Sequence, residues 1–252
     1  MSPNGISTIT RLVLFLLIPL LLWGLIRRVR QRPQYTLRPI PAFDMLRGLL
    51  SRVAESGKIV HLSLGTSGLG DDQTAVVVAG LAVLRYLVEQ GVSFGAVPTM
   101  TVADPTLMLI AQDILYRTHQ KKGLAARYRA TDVQMIAPDA TAYAVGAQDI
   151  VNQERVAANV MVGHFGEEYL LLGEAGAQRE IVQMAGSNTV NVQPFLLSTS
   201  KHVLLGEEVF AAGAYLTGQP EHIASLCVQD TLRVLIVLAI VIGVLAKTVL
   251  GS

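Results

Sequence analysis

Two stretches of the chain carry no polar rhythm. Residues 12–26 (LVLFLLIPLLLWGLI) and 234–246 (VLIVLAIVIGVLA) contain no charge and no strongly polar group. In the second run the apolar character goes all the way round a helix instead of forming one stripe. A bilayer core takes about 20 apolar residues per helix. Both runs reach that length by extension, to residues 6–26 and into residues 220–250. Arg11, Arg233 and Lys247 then sit near the ends, where long basic side chains reach the headgroups. The expectation is one transmembrane helix at each end. A cleaved leader is the competing reading of the first run, but RRVRQR follows it and no A-x-A site does.

Between the runs the pattern alternates. Residues 27–43 read as a basic juxtamembrane linker, extended over 33–43 (PQYTLRPIPAF) by three prolines. Residues 44–219 read as one domain. Short apolar runs at 58–64, 93–101, 133–137, 159–163, 181–185 and 202–205 predict strands. Helical periodicity fills 73–90, 105–119, 139–154, 167–177, 190–197 and 207–216. Val76, Gly80, Val83, Leu84 and Leu87 fall on one face of the first of these helices. Asp104-Pro105 supplies an N-cap and a proline at the first helical position. Pro220 opens a last helix that runs unbroken into the second apolar run. Strand–helix alternation at this spacing implies right-handed crossovers. The expected fold is therefore α/β: a Rossmann-like, mostly parallel sheet with helices on both faces, flanked by the two membrane segments.

Charge refines the picture. Only 15% of the 252 residues are charged, against about 25% in soluble domains. Arg27, Arg28, Arg30 and Arg32 follow the first apolar run, and only Arg11 precedes it. The positive-inside rule then puts the domain in the cytoplasm of a two-pass membrane protein with both termini outside. Cys227 is the single cysteine, so no internal disulfide forms. Residues 33–230 hold 13 basic and 19 acidic residues, a net of −6. Such a domain is a poor nucleic-acid binder, whereas the juxtamembrane arginines suit anionic lipid.

Candidate chemistry is thin. Gly65-Thr66-Ser67-Gly68-Leu69-Gly70-Asp71-Asp72 lies between the first strand and its helix, where such folds cradle a pyrophosphate. Its spacing is wrong for G-x-G-x-x-G, and two carboxylates at the helix start repel phosphate. Ser198-x-x-Lys201 lacks the companion motifs of serine–lysine hydrolases. His164-x-x-Glu167-Glu168 offers metal donors without a third ligand fixed by spacing. His61, His119, His202 and His222 are scattered. Gly166-Glu167-Glu168 and Gly206-Glu207-Glu208 place acidic pairs where they complement helix dipoles. The strand ends lead into small polar residues: Thr66 and Ser67, Thr101 and Asp104, Asp139 and Thr141, His164, then Ser187, Asn188 and Thr189. In an open parallel sheet these converge on one edge, although loop and cap chemistry uses the same residues. No catalytic constellation, metal site or cofactor motif is legible.

Several phrases carry a resemblance: the glycine-rich turn after HLSLG, NVMVGHFGEEYLLLGEAGA, IVQMAGSNT, and LLGEEVFAAGAYLTG running into SLCVQDTLRVLIVLAIVIGVL. Over about residues 42–248 the chain resembles an uncharacterised bacterial membrane-protein family, a domain of unknown function associated with Chloroflexota-type bacteria. The resemblance implies a membrane-anchored α/β domain and supplies no activity or functional residues.

The functional expectation is a membrane-anchored, self-associating scaffold that meets lipid and other copies of itself. Ala239-x-x-x-Gly243 offers a close-approach surface within the second apolar run. Residues 33–129 carry a net of +3, with Arg117, Lys121, Lys122, Arg127 and Arg129 as the strongest basic patch. Residues 130–230 carry −9. Opposed flanks of this kind suit head-to-tail contact between copies. The alternative is a small-molecule sensor or enzyme using the carboxyl-end edge, with Thr66, Ser67, Asp71, Asp104, Asp139, His164, Glu167, Ser187 and Asn188 as its candidate residues.

Overall fold

Six short strands build one sheet, and every pairing in it is parallel. They are β1 (Ile59–Gly65), β2 (Thr99–Val102), β3 (Val133–Met135), β4 (Val156–His164), β5 (Val182–Ser187) and β6 (His202–Leu205). Their order is β3-β2-β1-β4-β5-β6, that of the doubly wound Rossmann sheet. This computed structural model describes residues 23–24, 26–27, 37–66, 68–70 and 73–250, except the side chains of 239, 242, 246, 247, 249 and 250. The expectations for residues 6–22, Ser67, Asp71 and the Ala239 side chain lie outside the described residues. Two compact units emerge: Arg38–Thr217, which holds the sheet, and the two chain ends together.

Helices cover both faces because both faces of the sheet are buried. On one side lie α1 (Pro41–Glu55), α2 (Thr74–Phe94), α3 (Pro105–Lys121) and α7 (Ala212–Thr217), packed on one another around α2. On the other lie α4 (Ala140–Val151), α5 (Tyr169–Gln178) and α6 (Gln193–Thr199). The second layer forms a cluster in which Tyr143, Tyr169, Leu172 and Leu196 pack against Met161 and Ala185 of the strands. Gly80 lets α2 sit close on the sheet: a Cβ there would lie 2.5 Å from Leu64 Cδ2 and 2.6 Å from the Val162 carbonyl oxygen.

Two local expectations are corrected. The extended linker ends earlier than residue 43, because Pro41 is the first residue of α1. A proline at the first helical position loses no hydrogen bond and presets φ. Phe43, Leu46, Leu49, Leu50 and Val53 then bury one face of that helix, and Phe43 stacks on Tyr215 with ring centroids 5.1 Å apart. The strand expected at 93–101 is confined to Thr99–Val102. The α2 helix continues to Phe94, and Gly95 ends it at φ 73°.

The chain-end unit contains α8, Pro220–Leu250. Two described helices, α2 and α8, are long and apolar enough to cross a membrane. Burial separates them. The apolar window of α2 is 56% buried, as befits a core helix, and that of α8 is 6% buried. Five consecutive residues, Val234, Leu235, Ile236, Val237 and Leu238, are each between 45% and 60% exposed. Consecutive positions step around the helix by 100°, so α8 presents apolar surface in every direction.

Candidate functional site

Adjacent central strands β1 and β4 mark the point where the connections reverse direction. In sheets of this order ligands bind beyond the carboxyl ends of those strands. Here the two backbones are drawn together. Beyond the pair Ser63–Met161, β4 carries one extra residue before Gly65 pairs with His164. A Cβ on Gly65 would fall 2.0 Å from the His164 carbonyl oxygen, and one on Gly163 would fall 1.9 Å from that of Leu64. The Thr66 amide donates to the same His164 oxygen at 3.0 Å. In dinucleotide-binding sheets a glycine here lets the backbone approach a pyrophosphate. In this chain the missing side chains accommodate the neighbouring strand.

The residues expected along this edge are mostly engaged locally. Asp104 accepts from the Leu107 amide at 2.9 Å and caps α3, and Asp139 does the same for α4 through the Ala142 amide at 2.9 Å. Glu168 accepts from the Gly166 amide at 2.7 Å, and Glu167 is exposed. His164 Nδ1 meets the Thr189 hydroxyl at 3.2 Å, and the Ser187 hydroxyl accepts from the Thr189 amide at 3.3 Å. The edge thus brings together Thr66, His164, Ser187, Asn188 and Thr189, while Asp104 and Asp139 serve separate helices. One atom stands out: Asn188 Oδ1 is buried without a hydrogen-bond partner among the described residues.

The most ordered polar chemistry lies inside the sheet, in Asn159 and Gln183, which sequence reasoning passed over, in His61, read there as a scattered histidine, and in Thr101, expected at the carboxyl edge. Gln183, Asn159 and His61 are in register across β5, β4 and β1, with Thr101 two positions beyond on β2. All four are fully buried or nearly so. Proton positions follow from the end of the row that touches backbone. Gln183 Nε2 donates to the carbonyls of Gly173 (3.0 Å) and Thr199 (2.8 Å), so its Oε1 faces Asn159. Asn159 Nδ2 donates to that oxygen at 3.2 Å, which turns Asn159 Oδ1 toward His61 Nδ1 at 2.8 Å. His61 therefore carries its proton on Nδ1, and Nε2 accepts from the Thr101 hydroxyl at 3.0 Å. Tyr143 of α4 closes the row, donating to the Thr101 carbonyl at 3.1 Å and meeting Ser63 at 2.6 Å.

Electrostatics fix this row in its neutral form. Burial pushes the His61 imidazole down to about 4, only partly offset by the Asn159 hydrogen bond. Burial also raises the Tyr143 hydroxyl to about 12, against the stabilising hydrogen bonds of Ser63 and Thr101. A network whose members satisfy one another and exclude water specifies strand register. It has no access for a substrate. The sequence signal was a polar interruption of each apolar run, His61 and Ser63 in KIVHLSL and Asn159 in VAANVMV.

Fold and site together define a doubly wound α/β domain with a locally bonded carboxyl edge and its principal polar network sealed in the core. The chain belongs to the family described as Domain of unknown function (DUF6754), which matches residues 4–252. No curated protein and no solved structure matches the chain.

Proposed function

We propose that the chain is a membrane-anchored, self-associating scaffold, with α8 crossing the bilayer and the α/β domain carried on the cytoplasmic side. The observation that carries this reading is the exposed apolar surface around the whole of α8. Transfer of each such side chain out of water contributes about 1.5–3 kcal/mol, and a bilayer accepts all sides of the helix at once. The local engagement of the carboxyl edge supports a non-enzymatic role. Gly243 has no atom within 4 Å of where its Cβ would stand, leaving room for a second helix.

Charge supplies the orientation of the proposed contact. Strands β2 and β3 lie on one side of β1, and β4, β5 and β6 on the other. Within the basic flank Arg117 pairs with Asp113 and Arg129 with Asp132, while Lys122 donates to the Ser93 hydroxyl. Lys121 and Arg127 make no ion pair among the described residues. Reversing Lys121, Lys122 and Arg127 to glutamate should shrink the assembly measured by mass photometry in detergent and leave the domain folded. An unchanged particle size excludes flank-to-flank contact, and a wild-type monomer at micromolar concentration excludes self-association altogether.

The proposed topology has its own test in a Cys227→Ser background. Cysteines at Ser2 and Ser252 should react with an impermeant reagent in intact cells, and one within residues 123–130 should not. The reverse pattern would place the domain outside.

The second reading, a ligand at the carboxyl edge, is favoured by the partnerless Asn188 Oδ1. Ligand density beside His164 and Asn188 in an experimental map would move the conclusion to that reading.

A further inference from the structure

At the opposite, amino end of the sheet, Lys58, Arg127 and Arg129 line a cleft of about 270 Å³. It lies where α1, α2 and α3 all terminate. Each of those ends is followed by a glycine with positive φ: Gly57 at 65°, Gly95 at 73° and Gly123 at 70°. Helix ends carry partial negative charge, which by itself attracts cations. The last-turn carbonyls here already have partners, however. The Lys58 amide donates to Val53, the Ala96 amide to Gly91 and the Leu124 amide to His119. The basic side chains are therefore not required as caps.

What the cations do is set by their own contacts. Arg129 pairs with Asp132 at 3.1 Å. Neither the Lys58 nor the Arg127 side chain makes a hydrogen bond or ion pair among the described residues. Two uncompensated positive charges thus flank one small opening. Tyr128 lies between the two arginines and anchors their loop, edge-on to Tyr116 (centroids 5.4 Å apart) and to His119 (6.0 Å). His119 lines the cleft with only 1% of its surface exposed. Its Nδ1 donates to the Leu115 carbonyl at 2.8 Å, which fixes the ring against the cleft wall. Asp132, the partner of Arg129, also lines the cleft, and the rest of the wall is largely apolar, from Ile59, Val92, Ala96 and Val97.

We propose that this cleft binds a phosphate-monoester group, with Lys58 and Arg127 neutralising the dianion and Arg129 supplying further hydrogen bonds. Guanidinium forks match phosphate oxygens, and the volume admits such a headgroup with little else. The shared chemistry has two sources, a soluble phosphate or the headgroup of a phosphatidic-acid-like lipid. Arg127 is shared with the flank proposed for self-association, so particle size is measured alongside to separate the two.

The test uses the full chain in nanodiscs at constant ionic strength. In the first arm inorganic phosphate is titrated into phosphatidylcholine discs, and the midpoint of thermal unfolding is followed. In the second arm phosphatidic acid is doped into the discs instead. The wild type should be stabilised in one arm at least. The double variant Lys58→Gln, Arg127→Gln should need about tenfold more phosphate, or lose the lipid response. The control Arg52→Gln, Arg85→Gln removes equal charge from exposed positions on α1 and α2 outside the cleft and should respond as wild type. A response in the first arm identifies the soluble source, and one confined to the second identifies lipid. No response in either arm, or equal responses in wild type and the double variant, overturns the proposal.

Discussion

Chains carrying Leu238→Arg together with Val241→Arg should fail to insert α8, leaving Ser252 on the cytoplasmic side of the membrane. Both positions lie in the exposed apolar stretch of α8. An arginine at the centre of a spanning helix costs about 2.5–3.5 kcal/mol on insertion scales. Two of them shift the equilibrium by about 5–7 kcal/mol, more than a thousandfold. Arginines at Asp230 and Thr231, nearer the start of the helix, should leave insertion intact, because long cationic side chains reach the interface. Impermeant labelling of a cysteine at Ser252 in a Cys227→Ser background, in intact cells, reads both variants. Full labelling of the central double variant would mean that α8 is held by something other than lipid.

Acid should loosen the domain through a single buried side chain. His61 is held near 4 in the folded protein, below the usual 6.5 of an exposed histidine. Between those values the unfolded chain binds a proton that the folded chain refuses, so stability falls as pH drops from about 6.5 to about 4. The slope is at most about 1.4 kcal/mol per pH unit, giving roughly 3 kcal/mol over the window. Above pH 6.5 the contribution is constant. A His61→Gln variant should start less stable at pH 7 by about 1–3 kcal/mol, through imperfect replacement of two buried hydrogen bonds. It should then lack the wild type's extra acid slope. Urea unfolding in detergent from pH 7 to pH 4.5 compares the two. Parallel pH profiles would show that His61 is not the group taking up the proton. Tyr143→Phe removes the hydroxyl shared by Ser63 and Thr101 and should cost about 1–3 kcal/mol without altering the acid slope.

The strand–helix alternation made the α/β class legible, because short apolar runs separated by helical periods leave few other arrangements. The helix at Pro41–Glu55 escaped notice because three prolines in eleven residues suggested an extended chain. The same stretch carries apolar residues at Phe43, Leu46, Leu49, Leu50 and Val53, a helical spacing that the prolines masked. Asp104 and Asp139 announce their capping roles in sequence, since each precedes a helical period and reaches an amide three residues on. The buried row is different in kind. Thr101, His61, Asn159 and Gln183 belong to four strands, and only the pairing register aligns them. Separately, each looks like an isolated polar residue. The closed contact at Gly65 and Gly163 is also tertiary, because it depends on one extra residue in β4 that no local pattern marks. The cleft beside Lys58 joins segments from α1 to β3 and was visible in sequence only as a cluster of charge.

The central claim, that α8 lies across a bilayer, is tested most directly by single cysteines placed along it in a Cys227→Ser background. Each is challenged with a water-soluble maleimide in intact membranes. A spanning helix predicts an unbroken block of unreactive positions through residues 234–245, the same on every face, with reactivity returning toward Pro220. Reactivity recurring every three or four residues within that block would show one face against protein and the other in water, and would contradict the account.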